Sequence, residues 1–173
     1  MYAFRFCPDC GTELPAAADE RLLAQTCPAC KAIHWRNAKP CAGALIVRDG
    51  QVLLGRRAVA PARGAWDIPG GFLEPWEVPA EAAIREVREE TGLEVRVATL
   101  LSVVVDTYAG RDYTLNLYYV ADIVGGTLQP ADDLVELRWF GPDELPQDLA
   151  FPHLAEVLAA WHDSLRAEEA AAR

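Results

Sequence analysis

The sequence predicts an α/β fold: a layered α/β/α sandwich around a mixed sheet, with a small cysteine-bearing segment in front of it. Three observations predict it. Between Ala42 and Phe140, runs rich in β-branched and aromatic residues are bounded by Gly and Pro turn signals. One strongly patterned helix interrupts these runs at Pro79–Thr91, and a second amphipathic pattern closes the chain at Pro152–Leu165. Composition is globular, with 51% hydrophobic and 24% charged residues among 173.

Each element has a local reason. Residues 1–36 hold four of the five cysteines, and Asn37-Ala38-Lys39-Pro40 reads as a short joint, so residues 37–173 form the main domain. Ala42–Val47 is an apolar strand, Asp49-Gly50 a hairpin turn, and Val52–Leu54 the returning strand. Trp66–Ile68 is a short strand leading into Pro69-Gly70-Gly71. There the glycines let the backbone turn sharply and approach a ligand closely. Pro79 suits a first helical turn, where its missing N–H costs nothing, and Gly92 suits the C-terminal stop. Val78 is a poor N-cap. Val95–Asp106 and Thr114–Ile123 read as strands, Gly125-Gly126 as a turn and Glu136–Phe140 as the last strand. The Ala- and Glu-rich stretch Arg166–Arg173 reads as a fraying helix end.

The Pro79–Thr91 helix crowds Glu86, Glu89 and Glu90 into about one turn beside Arg85. Like charges so spaced destabilise a helix by roughly 0.2–0.5 kcal/mol per pair. A bound cation is the simplest relief, and hard oxygen ligands around open positions suit Mg²⁺ or Mn²⁺. Ala83 and Val87 can face the sheet while the three glutamates face a cleft. A solvated helix laced by Glu81–Arg85 and Arg85–Glu89 pairs is the plainer reading of the same charges. The ordered spacing weighs against it: Gly71, then Glu77, then Arg85-Glu86-Val87, Glu89-Glu90 and Gly92-Leu93.

The run GFLEPWEVPAEAAIREVREETGL, from Gly71 to Leu93, resembles the Nudix box at every defining position. Gly64-x-Trp66-Asp67-x-Pro69-Gly70-Gly71 and Glu136-x-x-Trp139-Phe140 are also similar to Nudix hydrolases, and the resemblance extends over about Pro40 to Leu165. It implies a Nudix-type α/β/α sandwich and hydrolysis of the diphosphate linkage in a nucleoside diphosphate joined to another group. It implies catalytic Mg²⁺ or Mn²⁺ held by the Gly71 carbonyl oxygen, Glu86, Glu89 and Glu90, with Arg85 orienting carboxylates and pairing with Glu77. A general base is also needed, and Glu89, Glu90 and Glu136 are candidates. Arg56 and Arg57 end the second strand and are candidates for binding substrate phosphate.

Cys7-Pro8-Asp9-Cys10 and Cys27-Pro28-Ala29-Cys30 are separated by sixteen residues. Two such knuckles make a closed tetrahedral site, so the spacing predicts a zinc ribbon with a structural Zn²⁺. So small a segment cannot build a large core, and the metal would supply its folding energy. Redox-active Cys-x-x-Cys is the alternative, disfavoured by the presence of two matched pairs. His34 is a further candidate ligand, and Cys41 reads as an ordinary buried cysteine.

The net charge of −10 argues against broad electrostatic binding to nucleic acid. It sets a puzzle for a phosphate substrate, which bound cations would answer. No apolar run reaches about 18 residues, so no membrane span is expected. The start of the chain lacks a secretory layout, which makes a cytoplasmic location the expectation.

A ribbon ahead of such a domain is similar to the NADH pyrophosphatase and ADP-ribose pyrophosphatase group. The Ser-Gln-Pro-Trp-Pro-Phe-Pro type motif of the NADH enzymes is absent downstream of the box, so ADP-ribose or a nucleotide sugar is as strong an expectation as NADH. Tyr108, Tyr113 and Phe72 are candidates for stacking on a base. The alternatives are hydrolysis of oxidised dNTPs to a monophosphate and pyrophosphate, or a non-catalytic nucleotide sensor. The family also suggests a homodimer.

Overall fold

The computed structural model describes residues 4–15, 24–110 and 112–171. The cysteine-bearing segment contributes a two-stranded sheet, β1 (Ala24–Thr26) with β2 (Ile33–Trp35). The main sheet has seven strands: β3 (Lys39–Arg48), β4 (Gln51–Arg57), β5 (Trp66–Asp67), β6 (Gly70–Phe72), β7 (Leu93–Tyr108), β8 (Asp112–Gly126) and β9 (Leu134–Phe140). Its path runs β5-β4-β3-β8-β7, with β6 added to β3 and β9 to β4. The β3–β8 pair is parallel and the others are antiparallel, which makes the sheet mixed.

Helices α1 (Pro79–Thr91) and α2 (Leu154–Ala171) each complete a separate core. Leu45, Leu54, Trp66 and Phe140 pack with Leu158 and Trp161 of α2. Ala42, Ala44, Ile46 and Leu53 pack with Ala82, Ala83 and Val87 of α1. Alternation along β3 feeds the two cores in turn, because successive strand side chains point to opposite faces.

Local chemistry explains the joints. Asp49 and Gly50 both adopt positive φ, 52° and 73°, as a two-residue hairpin of the type I′ kind demands. Pro79 stands at the start of α1, Val78 makes no side-chain cap, and Gly92 closes the helix at φ 70° with its N–H donated to the Arg88 carbonyl.

Three expectations are revised. Lys39 and Pro40 belong to β3, in register with Thr114 and Leu115, so only Asn37 and Ala38 remain of the joint. Pro at the first positions of a strand costs little, which is why Pro40 does not break it. Gly70 and Gly71 do not turn but form β6 against β3, and neither has positive φ. Gly125 and Gly126 do not form a turn but extend β8, paired with Glu94 and Leu93 of β7. The end of the chain, Ala172 and Arg173, lies outside the described residues.

Candidate active site

The site is built where β3 changes partner. Along one edge its first half pairs with β6 (Cys41 with Phe72, Gly43 with Gly70), and its far end pairs with β4. Helix α1 lies against β6, and at Gly71 a Cβ would sit 2.5 Å from a Glu86 carboxylate oxygen, so any larger residue would push that carboxylate aside. The absence of a side chain therefore lets Glu86 approach the β6 backbone.

Glu90 turns inward. It is buried, and the Gly70 N–H donates to its Oε2 at 2.9 Å. Burial, with the nearby carboxylates of Asp133 and Glu86, pushes its pKa up to about 10. In the metal-free chain Glu90 thus holds a proton that a cation would displace. Glu86 is shifted the same way, chiefly by burial, although Arg85 opposes the shift.

Arg85 ties the arrangement together. Its guanidinium donates to both oxygens of Glu77, at 2.6 and 2.8 Å, to Glu86 at 2.8 Å, to Glu89 at 3.1 Å and to the Phe72 carbonyl at 3.1 Å. The bidentate fork holds the Glu77 carboxyl down at about 2. The expected Arg85–Glu77 pair is present. Of the two helix pairs in the plainer reading, Arg85–Glu89 forms, while Arg85 turns to Glu77 on the preceding loop.

The two strand-end arginines separate. Arg57 is buried, donating to Asp67 at 2.9 Å, with Asp133 at 3.7 Å. Burial raises the Asp67 carboxyl to about 6 against the pull of Arg57. Arg56 stays half-exposed and faces Glu136 across the β4–β9 register at 3.3 Å.

A cavity opens beside Gly70 and Gly71, walled by Phe72, Tyr108 and Phe151. Phe72 meets Tyr108 edge-on at 5.5 Å, and Tyr108 meets Phe151 at 6.0 Å. Tyr113 is exposed at the hairpin end and does not line this cavity. Cys41 is only partly buried and lines it. Burial pushes its thiol up to about 12.

Sequence reasoning missed two features here. Asp133 joins Glu90 and Arg57 from the loop before β9. His153, just ahead of α2, bonds Asp106 through Nδ1 at 2.6 Å and the Tyr118 hydroxyl through Nε2 at 2.7 Å. These residues lie 47 and 35 positions from His153, so no local spacing could have signalled them.

The cysteines converge as expected. The Sγ atoms of Cys7, Cys10, Cys27 and Cys30 all lie within 4.8 Å of one another, and none forms a disulfide. A tetrahedral ion with metal–sulfur bonds of about 2.3 Å holds its sulfurs about 3.8 Å apart, close to the 3.7 Å of Cys7–Cys30 and the 3.6 Å of Cys10–Cys27. The knuckles repeat one another: Gly11 and Lys31, both at positive φ, donate to the Cys7 and Cys27 carbonyls. His34 Nε2 lies 3.2 Å from Cys7 Sγ, placed to support that sulfur.

Among the described residues no helix is long and apolar enough to cross a membrane.

Comparison with known proteins agrees with this geometry. The family model of the NUDIX domain matches residues 38–161. An ADP-ribose pyrophosphatase of Methanocaldococcus jannaschii is 37% identical over 63% of this chain and 64% of its own length. An NAD-capped RNA hydrolase NudC of Stutzerimonas stutzeri is 33% identical over 89% of this chain and 54% of its own length. That alignment reaches into the cysteine segment, since 89% of the chain is more than everything after residue 37. This chain thus spans between half and two thirds of the length of these curated relatives. A crystal structure of a NUDIX hydrolase from Nitrosomonas europaea superposes with a TM-score of 0.77 at 32% identity, covering 90% of this chain and 88% of that one. The box, the sandwich that carries it and these likenesses together place the chain in the NUDIX domain family.

Proposed function

We propose that this protein hydrolyses the diphosphate linkage of a nucleoside diphosphate derivative, of the ADP-ribose, NADH or nucleotide-sugar type, with a divalent metal. The observation that carries the reading is the approach of Glu86 and Glu90 to the β6 backbone, at Gly71 and Gly70, with Arg85 binding both Glu86 and Glu89. The donor set is hard oxygen throughout, which suits Mg²⁺ or Mn²⁺ held by Gly71 O, Glu86, Glu89 and Glu90. When bound, such ions supply charge neutralisation on phosphate and activation of water.

The chain's own residues do the rest. Arg85 fixes the glutamates relative to β6 through its five hydrogen bonds. Glu89 is the most exposed of the three, with 45% of its side chain accessible, and is the favoured general base. Glu136 is a second candidate for the base, and it also orients Arg56 toward an incoming phosphate. Arg57 acts through Asp67 and Asp133, bracing the loop that faces Glu90. The net charge of −10 is compatible with an anionic substrate because cations bridge the two.

The same reading divides the chain into a zinc ribbon at 1–36 and a Nudix domain at 37–173. It places a structural Zn²⁺ on Cys7, Cys10, Cys27 and Cys30, supported by their near-tetrahedral spacing. It puts the protein in the cytoplasm and allows a homodimer. Two relatives bear names that refer to ADP-ribose and to NAD-capped RNA, and both substrates contain a nucleoside diphosphate linkage. A capped RNA therefore belongs among the substrates tested, although the acidic balance disfavours an extended RNA contact.

The test is a comparison of kcat/KM across ADP-ribose, NADH, nucleotide sugars, dinucleoside polyphosphates, an NAD-capped RNA, and normal and oxidised dNTPs. The diphosphate derivatives should lead. A preference for oxidised dNTPs would replace this reading with the triphosphate one, and no turnover at all would favour a nucleotide sensor.

A further inference from the structure

The cavity beside Gly71 has a polar floor whose hydrogen bonding is settled by its neighbours. Cys41 is in register with Asn116 on β8 and with Phe72 on β6, so the three form one row across adjacent strands. With strands about 4.8 Å apart, Asn116 lies roughly 10 Å from β6. That is a span suited to one ribose and one base.

Asn116 is 7% exposed and lines the cavity. Its Nδ2 lies 3.0 Å from Thr114 Oγ1 and 3.4 Å from the Val104 carbonyl. A carbonyl can only accept, so the amide nitrogen must face Val104. The Thr114 hydroxyl gives its own proton to the Asp106 carbonyl at 3.3 Å, which leaves it accepting from Asn116. The amide orientation is therefore fixed. Both N–H groups are used, and Oδ1 accepts no hydrogen bond among the described residues. A buried side chain thus turns a single acceptor toward the cavity. Phe72, Tyr108 and Phe151 line the cavity together with Arg57, Asp67, Asp133 and His153, and none of these side chains bonds that oxygen among the described residues.

We propose that this cavity holds the base of the nucleotide, and that Asn116 selects a base bearing an exocyclic amine, adenine in the first instance, by accepting its N–H. This deepens the functional reading above and rests on it for where the phosphates sit. Phe72, Tyr108 and Phe151 supply flat apolar surface for the ring, which is tolerant of base identity. Asn116 supplies the discrimination, because hypoxanthine presents a carbonyl where adenine presents its amine. Two acceptors would then face one another, and neither would be satisfied. His153 is a positioning residue here. Its bonds to Asp106 and Tyr118 hold the segment that carries Phe151, whose ring stacks on the imidazole at 5.9 Å.

The test reads binding apart from hydrolysis. AMP and IMP are titrated into the full chain with Mg²⁺ present and followed by calorimetry. AMP should bind about tenfold more tightly than IMP. Asn116→Leu should bring the ratio near one, chiefly by weakening AMP. Equal affinities in the unaltered protein would overturn the proposal without recourse to any variant. So would a preference for AMP that survives in Asn116→Leu, or no binding of either nucleotide by a protein that hydrolyses ADP-ribose. A preference for AMP in a protein that hydrolyses no diphosphate derivative would support the base reading and remove the catalytic one.

Discussion

Glu90 is the residue on which the electrostatics of the site turn. Burial raises its folded pKa to about 10, well above the ordinary carboxylate value of 4.5. A group so shifted stabilises the folded, metal-free chain fully below about pH 4.5, and that contribution is lost as the pH rises toward 10. A divalent ion takes the proton's place, so its benefit should grow in the same direction. The rise in Tm caused by Mg²⁺ or Mn²⁺ should therefore be larger at pH 9 than at pH 6; an increment independent of pH would contradict the account. Glu90→Gln mimics the protonated side chain and keeps an oxygen for the Gly70 N–H. It should leave the unfolding free energy in metal-free buffer within about 1 kcal/mol of the parent, yet abolish hydrolysis. Activity retained at saturating Mg²⁺ would remove Glu90 from the site. Glu90 was legible in the sequence because the box spacing names it. Asp133 and His153 were not, because they reach the site through tertiary folding alone.

Among the elements, α1 is best read from sequence and β6 worst. Helix α1 carries its own punctuation, Pro79 at the start and Gly92 at φ 70° at the end. Strand β6 is Gly-Gly-Phe, a sequence that looks like a turn; it becomes a strand only because β3 lies alongside and glycine permits Glu86 to close in. The β7–β8 hairpin runs beyond the strands expected at Val95–Asp106 and Thr114–Ile123, because backbone pairing continues to Tyr108 with Asp112 at one end and Leu93 with Gly126 at the other. Arg85 links α1 to β6 and to the loop that carries Glu77, so Arg85→Ala should lower kcat/KM by roughly 10²-fold or more through misplaced glutamates. Arg85→Lys should rescue little, since an ammonium cannot reproduce the fork on Glu77. Full rescue by lysine would show that charge alone matters. Trp161 of α2 is 1% exposed in the core opposite α1. Trp161→Ala should cost about 3–5 kcal/mol in denaturant unfolding.

For the whole molecule, the proposed division between the cysteine segment and the main domain rests on composition, and the family match begins at residue 38. The cysteine segment has a buried cluster of only Cys7, Leu14 and Cys27 among its described residues, so the proposed zinc would supply much of its folding energy. Metal analysis of the purified protein should return about one zinc per chain. Strong chelation should unfold the segment while leaving the sandwich intact, seen as loss of amide protection confined to residues before Lys39. No zinc, or unfolding of both parts together, would overturn the ribbon or its independence. The substrate was the least legible property, because a box specifies the cleaved linkage while cavity walls drawn from β6, β7, β8 and the α2 approach specify what is attached to it.

The most direct measurement is steady-state hydrolysis of ADP-ribose, NADH and a nucleotide sugar as Mg²⁺ or Mn²⁺ is titrated into chelator-treated protein whose zinc content is unchanged. The account predicts cleavage between the two phosphates, absent without added ion and saturable with it, and abolished in Glu90→Gln. Turnover that is indifferent to the divalent ion, or products cleaved at any other bond, would contradict it.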